Sequence, residues 1–179
     1  MARLAVCLAG LALGLLASSA VRAELLEAEL TVAGMACPFC VFGIEKKLGA
    51  IDGVQSVTVL LDEGRVRLVF LPSNHASTGD IRDAVKSTGF KLSELVLHVR
   101  GQLVATADEP TLDSGNAARF KLLEAQQGRV GPLSAETQKS MERASNDRFL
   151  IVQGAVRSLG SEIPGLVVEA FEGGEAAAR

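Results

Sequence analysis

Two cysteines three residues apart, Cys37 and Cys40, carry the chemistry that this chain offers. In Gly34-Met35-Ala36-Cys37-Pro38-Phe39-Cys40 they fall where an extended stretch gives way to a helix. Two thiolates at that spacing can grip one soft metal ion, or close on each other as a disulfide. Ahead of them, Glu27-Ala28-Glu29-Leu30-Thr31-Val32 alternates in polarity as a half-buried strand does. Behind them, Val41, Ile44 and Leu48 recur at helical spacing. Pro38 suits the first helical position, where its missing N–H removes a donor that has no intrahelical partner. Cys40 then lies in the first turn, where free amides and the positive dipole end favour thiolate over thiol.

Ligand softness and number narrow the metal. A thiolate pair with no histidine or carboxylate beside it suits an ion content with two sulfurs, such as Cu(I) or Hg(II). A structural zinc site takes four ligands, and the two histidines, His75 and His98, lie away from the motif, one in a loop and one in a strand. The competing chemistry is thiol-disulfide exchange, since Cys-x-x-Cys ahead of a helix is also a redox motif. A thioredoxin-like protein carries a tryptophan before its first cysteine, and this chain has none. Neither a phosphate-binding glycine loop, nor a Gly-x-Ser-x-Gly elbow, nor a histidine beside a nucleophile occurs, so the expectation is that the chain is not an enzyme.

The start of the chain reads as a targeting segment over residues 1–23. Arg3 supplies the positive charge, Leu4 to Ala17 an apolar run that is short for a membrane span, and Val21-Arg22-Ala23 a small-residue cleavage site. The expectation is a periplasmic or otherwise exported protein that keeps no membrane segment after cleavage and retains only Cys37 and Cys40, Cys7 being discarded. In an oxidising compartment the pair rests as a disulfide when neither metal nor reductant holds it. The formal charge of −3 grows more negative when Arg3 and Arg22 leave. Its acidic residues are scattered, and nothing in the pattern attracts nucleic acid or an anionic membrane.

Further along, Val57, Val59 and Leu61 form one face of a strand, Asp62-Glu63-Gly64 a hairpin loop, and Val66, Leu68 and Phe70 the matching face of the next strand. Ser77 and Asp80 have the spacing of a helix start, Gly89 a helix stop, and Leu95 to Val99 a strand. Strand, helix, strand, strand, helix, strand is the split βαβ order of ferredoxin-like domains, which makes residues 24–99 an α+β domain of the βαββαβ type. Together with Gly34-Met35-x-Cys37-x-x-Cys40, Ile44, Leu48, Gly53-Val54 and Gly89-Phe90, this order resembles the heavy-metal-associated domain family. Copper chaperones, the N-terminal domains of metal-exporting P-type ATPases and the periplasmic mercury scavenger belong to that family.

The resemblance implies that Cys37 and Cys40 are the metal ligands and that Met35 is a core residue bracing the loop. It also implies that Phe90 lies close to the cysteines, with Lys91 beside it to offset the charge of a dithiolate. The carrier it implies binds one Cu(I) or Hg(II) ion and either buffers it or passes it to a membrane metal transporter or another thiolate carrier. Phe39 and Phe42, three apart on a side of the helix away from the Val41, Ile44 and Leu48 stripe, are expected to stay exposed and to dock the C-terminal module or a membrane partner.

Residues 100–172 change character. Gly101 to Thr106, Ala118 to Leu123, Phe149 to Val156 and Leu166 to Phe171 read as four strands, and Ser134 to Asn146 as a helix capped by Ser134. Four strands with a helix before the last two lead to the expectation of a small, mostly-β module, an OB-like barrel, and Ile151 to Val156 loosely resembles an OB-fold strand. Residues 173–179, with glycine and alanine and little to bury, are expected to be disordered.

Overall fold

The computed structural model of the chain describes residues 24–35, 38–104, 109–115, 119–145 and 149–174. The targeting segment, Cys37 and residues 175–179 lie outside the described residues.

Strand β1 (Glu24–Ala33) buries Leu25, Ala28, Leu30 and Val32, and a register shift between Leu25 and Glu27 resets its period-two alternation. Helix α1 (Pro38–Gly49) begins on Pro38 as its sequence requires and buries Ile44 and Leu48, whereas Val41 is only half-buried. Strands β2 (Val54–Leu60) and β3 (Arg65–Phe70) form a hairpin. A single 3-10 turn, Leu61–Glu63, joins them and takes Leu61 out of the strand, and Gly64 closes it in the left-handed region at φ 63°.

Helix α2 (Thr78–Ser87) starts with the expected capping box. Ser77 Oγ accepts from the Asp80 N–H at 3.2 Å, and the Asp80 carboxylate accepts from the Ser77 N–H at 2.9 Å. At its far end the Gly89 N–H donates to the Lys86 carbonyl at 3.1 Å. With strand β4 (Lys91–Val104) these elements make an antiparallel sheet in the order β2-β3-β1-β4, against which α1 and α2 pack: the ferredoxin-like arrangement expected.

Beyond it the structure departs from the sequence-based expectation. Leu95–Val99 and Gly101–Thr106 were expected as separate strands on either side of a boundary at residues 99 and 100; through residue 104 they are one strand, β4. A glycine within an apolar run suggests a break, but Gly101 sits where β5 (Thr111–Asp113) crosses most closely. A Cβ at that position would stand 2.8 Å from the Asp113 carbonyl oxygen and from Leu112 Cγ. Residues 91–100 of β4 pair with β1, and residues 102–104 pair with β5.

The rest of the module comprises β6 (Arg119–Gln126), β7 (Arg129–Pro132), helix α3 (Ala135–Ser145), β8 (Phe149–Arg157) and β9 (Gly165–Gly174). Neither β5 nor β7 was anticipated, because three or four residues are too few to show an alternation. Pairing runs β4-β5-β6-β9-β8 and closes when β8 pairs with β4, giving a five-stranded barrel in which β6 and β9 are parallel. The Ser134 hydroxyl accepts from the Thr137 N–H at 3.3 Å, as the expected cap of α3. Gly173 and Gly174, placed in a disordered tail by composition, instead complete β9 opposite Leu150 and Phe149.

One core serves both halves. Ile44, Leu48, Leu68 and Ile81 belong to the same buried cluster as Phe120, Met141, Leu150 and Leu166, and Leu95, Leu97 and Val99 of β4 are fully buried within it. Glu24 and Arg100 add a buried ion pair at 2.8 Å between the first residue of β1 and the shared strand, and the Ser73 N–H also donates to Glu24. The β8–β9 connection leans on the first domain, where the Arg82 guanidinium donates to the Leu159 carbonyl at 3.1 Å.

Candidate metal-binding site

The loop that bears the two cysteines is placed from three directions. Strand β1 delivers it: between Thr31 and Val32 its register against β4 shifts, and the Val32 N–H turns to the Gly64 carbonyl at 2.9 Å. A bulge of this kind re-aims a strand as it leaves the sheet. The Gly64 turn of the β2–β3 hairpin therefore supports the entry to the loop, a role that sequence reasoning missed because its signal is only a glycine in a hairpin loop.

Gly34 then takes φ 86°, a conformation that favours glycine, and a Cβ there would lie 3.8 Å from Phe90 Cδ1. The Phe90 ring thus rests beside Gly34, the first residue of the loop. Met35 follows at 5% exposure inside the core. It is a packing residue here, and burial of its side chain holds the loop to the domain.

Helix α1 receives the chain on the other side. Cys40 falls in its first turn, which carries no acidic side chain, while Lys46 and Lys47 occupy its last turn, as suits the helix dipole. Cys37 is not among the described residues, and Cys40 is described by its backbone alone. Lys91 opens β4, is exposed, and stands in register with Ala33, the residue just before the loop. Among the described residues no group of three or more histidine, cysteine, aspartate or glutamate side chains could hold a metal. His75 is exposed in the loop ahead of α2, and His98 is a half-buried residue of β4.

Phe39 and Phe42 stand out on the surface at 91% and 70% exposure. Of the two docking surfaces expected for them, the C-terminal module is excluded, since rings so exposed are not packed against it. Instead Phe39 forms, with Gly43, Lys47, Ser87, Thr88 and Phe90, an open groove between α1 and the end of α2, next to the loop. Among the described residues no helix is long and apolar enough to cross a membrane.

A family model described as the heavy-metal-associated domain matches residues 29–91, from the middle of β1 to the first residue of β4. The copper chaperone CopZ of Bacillus subtilis is 37% identical over 65 residues, spanning 36% of this chain and 93% of that protein. Copper-transporting ATPase 2 of Homo sapiens is 36% identical over 64 residues, again 36% of this chain but only 4% of the transporter. Among solved structures, a CopZ metallochaperone aligns over 37% of this chain and 97% of its own, with 32% identity and a TM-score of 0.35. The family match ends at the first residue of β4 and leaves β5 to β9 unmatched.

Proposed function

Because the chain belongs to the heavy-metal-associated domain family, we propose that it is an exported, periplasmic carrier that holds one Cu(I) ion between Cys37 and Cys40 and hands it to a membrane metal transporter. The observation that carries this reading is the position of the cysteine loop. It lies within the family match, between a bulged strand and a helix start free of carboxylates, and the relatives that share this part of the chain are named for copper. Copper is preferred to mercury on that ground, and Hg(II), which the thiolate pair would also accept, becomes the competitor in the test.

In this reading each residue has a task. Cys37 and Cys40 bind the ion as thiolates, so binding releases any proton still on the sulfurs. Met35 and Phe90 hold the loop from beneath and beside, and Lys91 offsets the negative charge of the pair. Transfer proceeds by ligand exchange, in which an incoming thiolate of the acceptor makes a three-coordinate ion before one of the two original sulfurs leaves. No covalent bond of a substrate changes, and the protein acts as a carrier and not as an enzyme. Phe39 and Phe42 give the acceptor an apolar surface beside the loop.

The barrel is read as OB-like. The order β4-β5-β6-β9-β8, one parallel pair and a helix ahead of the fourth strand support that reading, which assigns no activity of its own. Anaerobic titration of the reduced protein with Cu(I), Hg(II) and Zn(II), followed by native mass spectrometry, tests the proposal. One tightly held Cu(I) is expected, with loss of affinity by orders of magnitude in Cys37→Ser and in Cys40→Ser. Wild-type affinity in the double serine variant would remove the site. A measurable disulfide potential with exchange onto substrate thiols, and no retained copper, would replace the carrier with a redox protein.

A further inference from the structure

Among the described residues β2 pairs with β3 alone, so the sheet presents an open edge there. Of the nine strands among the described residues, β2 alone has no charged residue: Val54-Gln55-Ser56-Val57-Thr58-Val59-Leu60 also lacks proline. All eight others carry at least one charged side chain, and the other edge strand, β7, holds both Arg129 and Pro132. Charges and prolines on an edge strand prevent it from pairing with another chain, and an edge without them is a ready template for one. Helix α1 packs on one face of β2, and Gln55, Ser56, Thr58 and Leu60 are exposed, while no described strand pairs with its outer edge.

The flanks specify what can pair there. Asp52 precedes β2 in an exposed turn and Asp62 follows it in the 3-10 turn, also exposed, and neither makes an ion pair among the described residues. A second copy is a poor occupant: antiparallel pairing centred on Val57 would set Asp52 of one copy against Asp62 of the other, and like charges facing each other across strands are unfavourable. We infer that the β2 edge binds an extended, uncharged β-forming segment of a partner protein that carries a basic residue at each end, adding it to the sheet as a further strand. This surface lies on a different side of the sheet from the β4 edge that β8 occupies. It involves no residue of the metal loop, so the inference stands independently of the carrier reading.

The probe is a pair of eleven-residue synthetic peptides, Lys-Thr-Val-Thr-Val-Thr-Val-Thr-Val-Thr-Lys, whose ends are as far apart in sequence as Asp52 and Asp62, and its counterpart with glutamate at both ends, titrated into the 15N-labelled protein. The lysine peptide is expected to shift the amides of residues 52–62 saturably and to bind about fivefold or more tightly than the glutamate peptide, the difference coming from two cross-strand charge pairs. The double variant Asp52→Lys/Asp62→Lys should reverse that preference, and Thr58→Lys should abolish binding of both peptides while leaving Cu(I) affinity unchanged. Dispersed amide spectra of each variant establish that it is folded, and slowed hydrogen exchange within β2 on adding peptide gives a second readout. Absence of shifts at β2, or equal affinity for both peptides, would overturn the inference. A concentration-dependent dimer that Thr58→Lys disperses would overturn it in favour of self-pairing.

Discussion

Glu124 caps a helix to which it does not belong. From β6 its carboxylate accepts from the Ser134 N–H and from the Thr137 hydroxyl, each at 2.9 Å, and from Gln126 at 3.1 Å. The Ser134 amide, above all, and then Gln126 hold its pKa down at about 2, against an ordinary 4.5. A carboxyl whose pKa is depressed on folding stabilises the protein above its unfolded value, and that contribution fades as pH falls from 4.5 toward about 2. Glu124→Gln should therefore lower the melting temperature at pH 7 and differ less from the parent at pH 2.5. Calorimetry at the two values checks the sign, and an equal deficit at both would assign the loss to packing. Phe39 and Phe42 make the opposite case, since rings this exposed contribute little to the fold. Replacing both with serine should move stability by no more than about 0.5 kcal/mol and leave Cu(I) affinity intact. Stopped-flow transfer to a thiolate acceptor should slow, and unchanged rates would mean that the rings do not take part in docking.

At the scale of elements, the first domain was legible because its signals are local. Ser77 with Asp80, Pro38, Gly64 and Gly89 each mark an end of an element through the backbone bond it makes or cannot make. The alternation in β1 and β3 is long enough to see. In the site, the sequence showed the cysteine pair and the buried Met35. It did not show the Val32–Gly64 hydrogen bond, because a bulge depends on a partner strand that is distant in the chain. The second half was less legible for a related reason: β5 and β7 are too short for a period to appear. Gly101 reads as a stop when only one strand is considered and as a close crossing when β5 is added. Gly101→Ala should accordingly destabilise the protein by about 1–3 kcal/mol, since the Asp113 backbone cannot yield as a flexible side chain could. Denaturant titration measures it, and a cost below about 0.5 kcal/mol would show that β4 and β5 separate easily. Arg100→Leu should cost about 3–5 kcal/mol by leaving the Glu24 carboxylate buried without its cation. A marginal change in the same titration would show that water reaches Glu24.

For the whole molecule, β4 decides the behaviour. One edge is shared between β1 and β5 and the other is occupied by β8, so its unfolding would strip partners from both halves together. Hydrogen exchange should give equal opening free energies for the slowest amides of β1, β4 and β8. Cu(I) at 100 times its dissociation constant should raise all three by about 2.7 kcal/mol. A barrel that opens without responding to copper would show two independent units. Cutting the chain after Val99 should not release a stable carrier, because it would leave the β8-facing edge of β4 bare from Val96 onward, and aggregation of that fragment would be the observable sign. The direction of β1 has a practical consequence. Its ten residues run from Glu24, at the end that holds Arg100, to Ala33 at the mouth of the cysteine loop. Ten residues of strand measure roughly 33 Å. A fluorophore, resin or surface joined ahead of Glu24 would thus attach at the end of β1 opposite the one that leads into the cysteine loop.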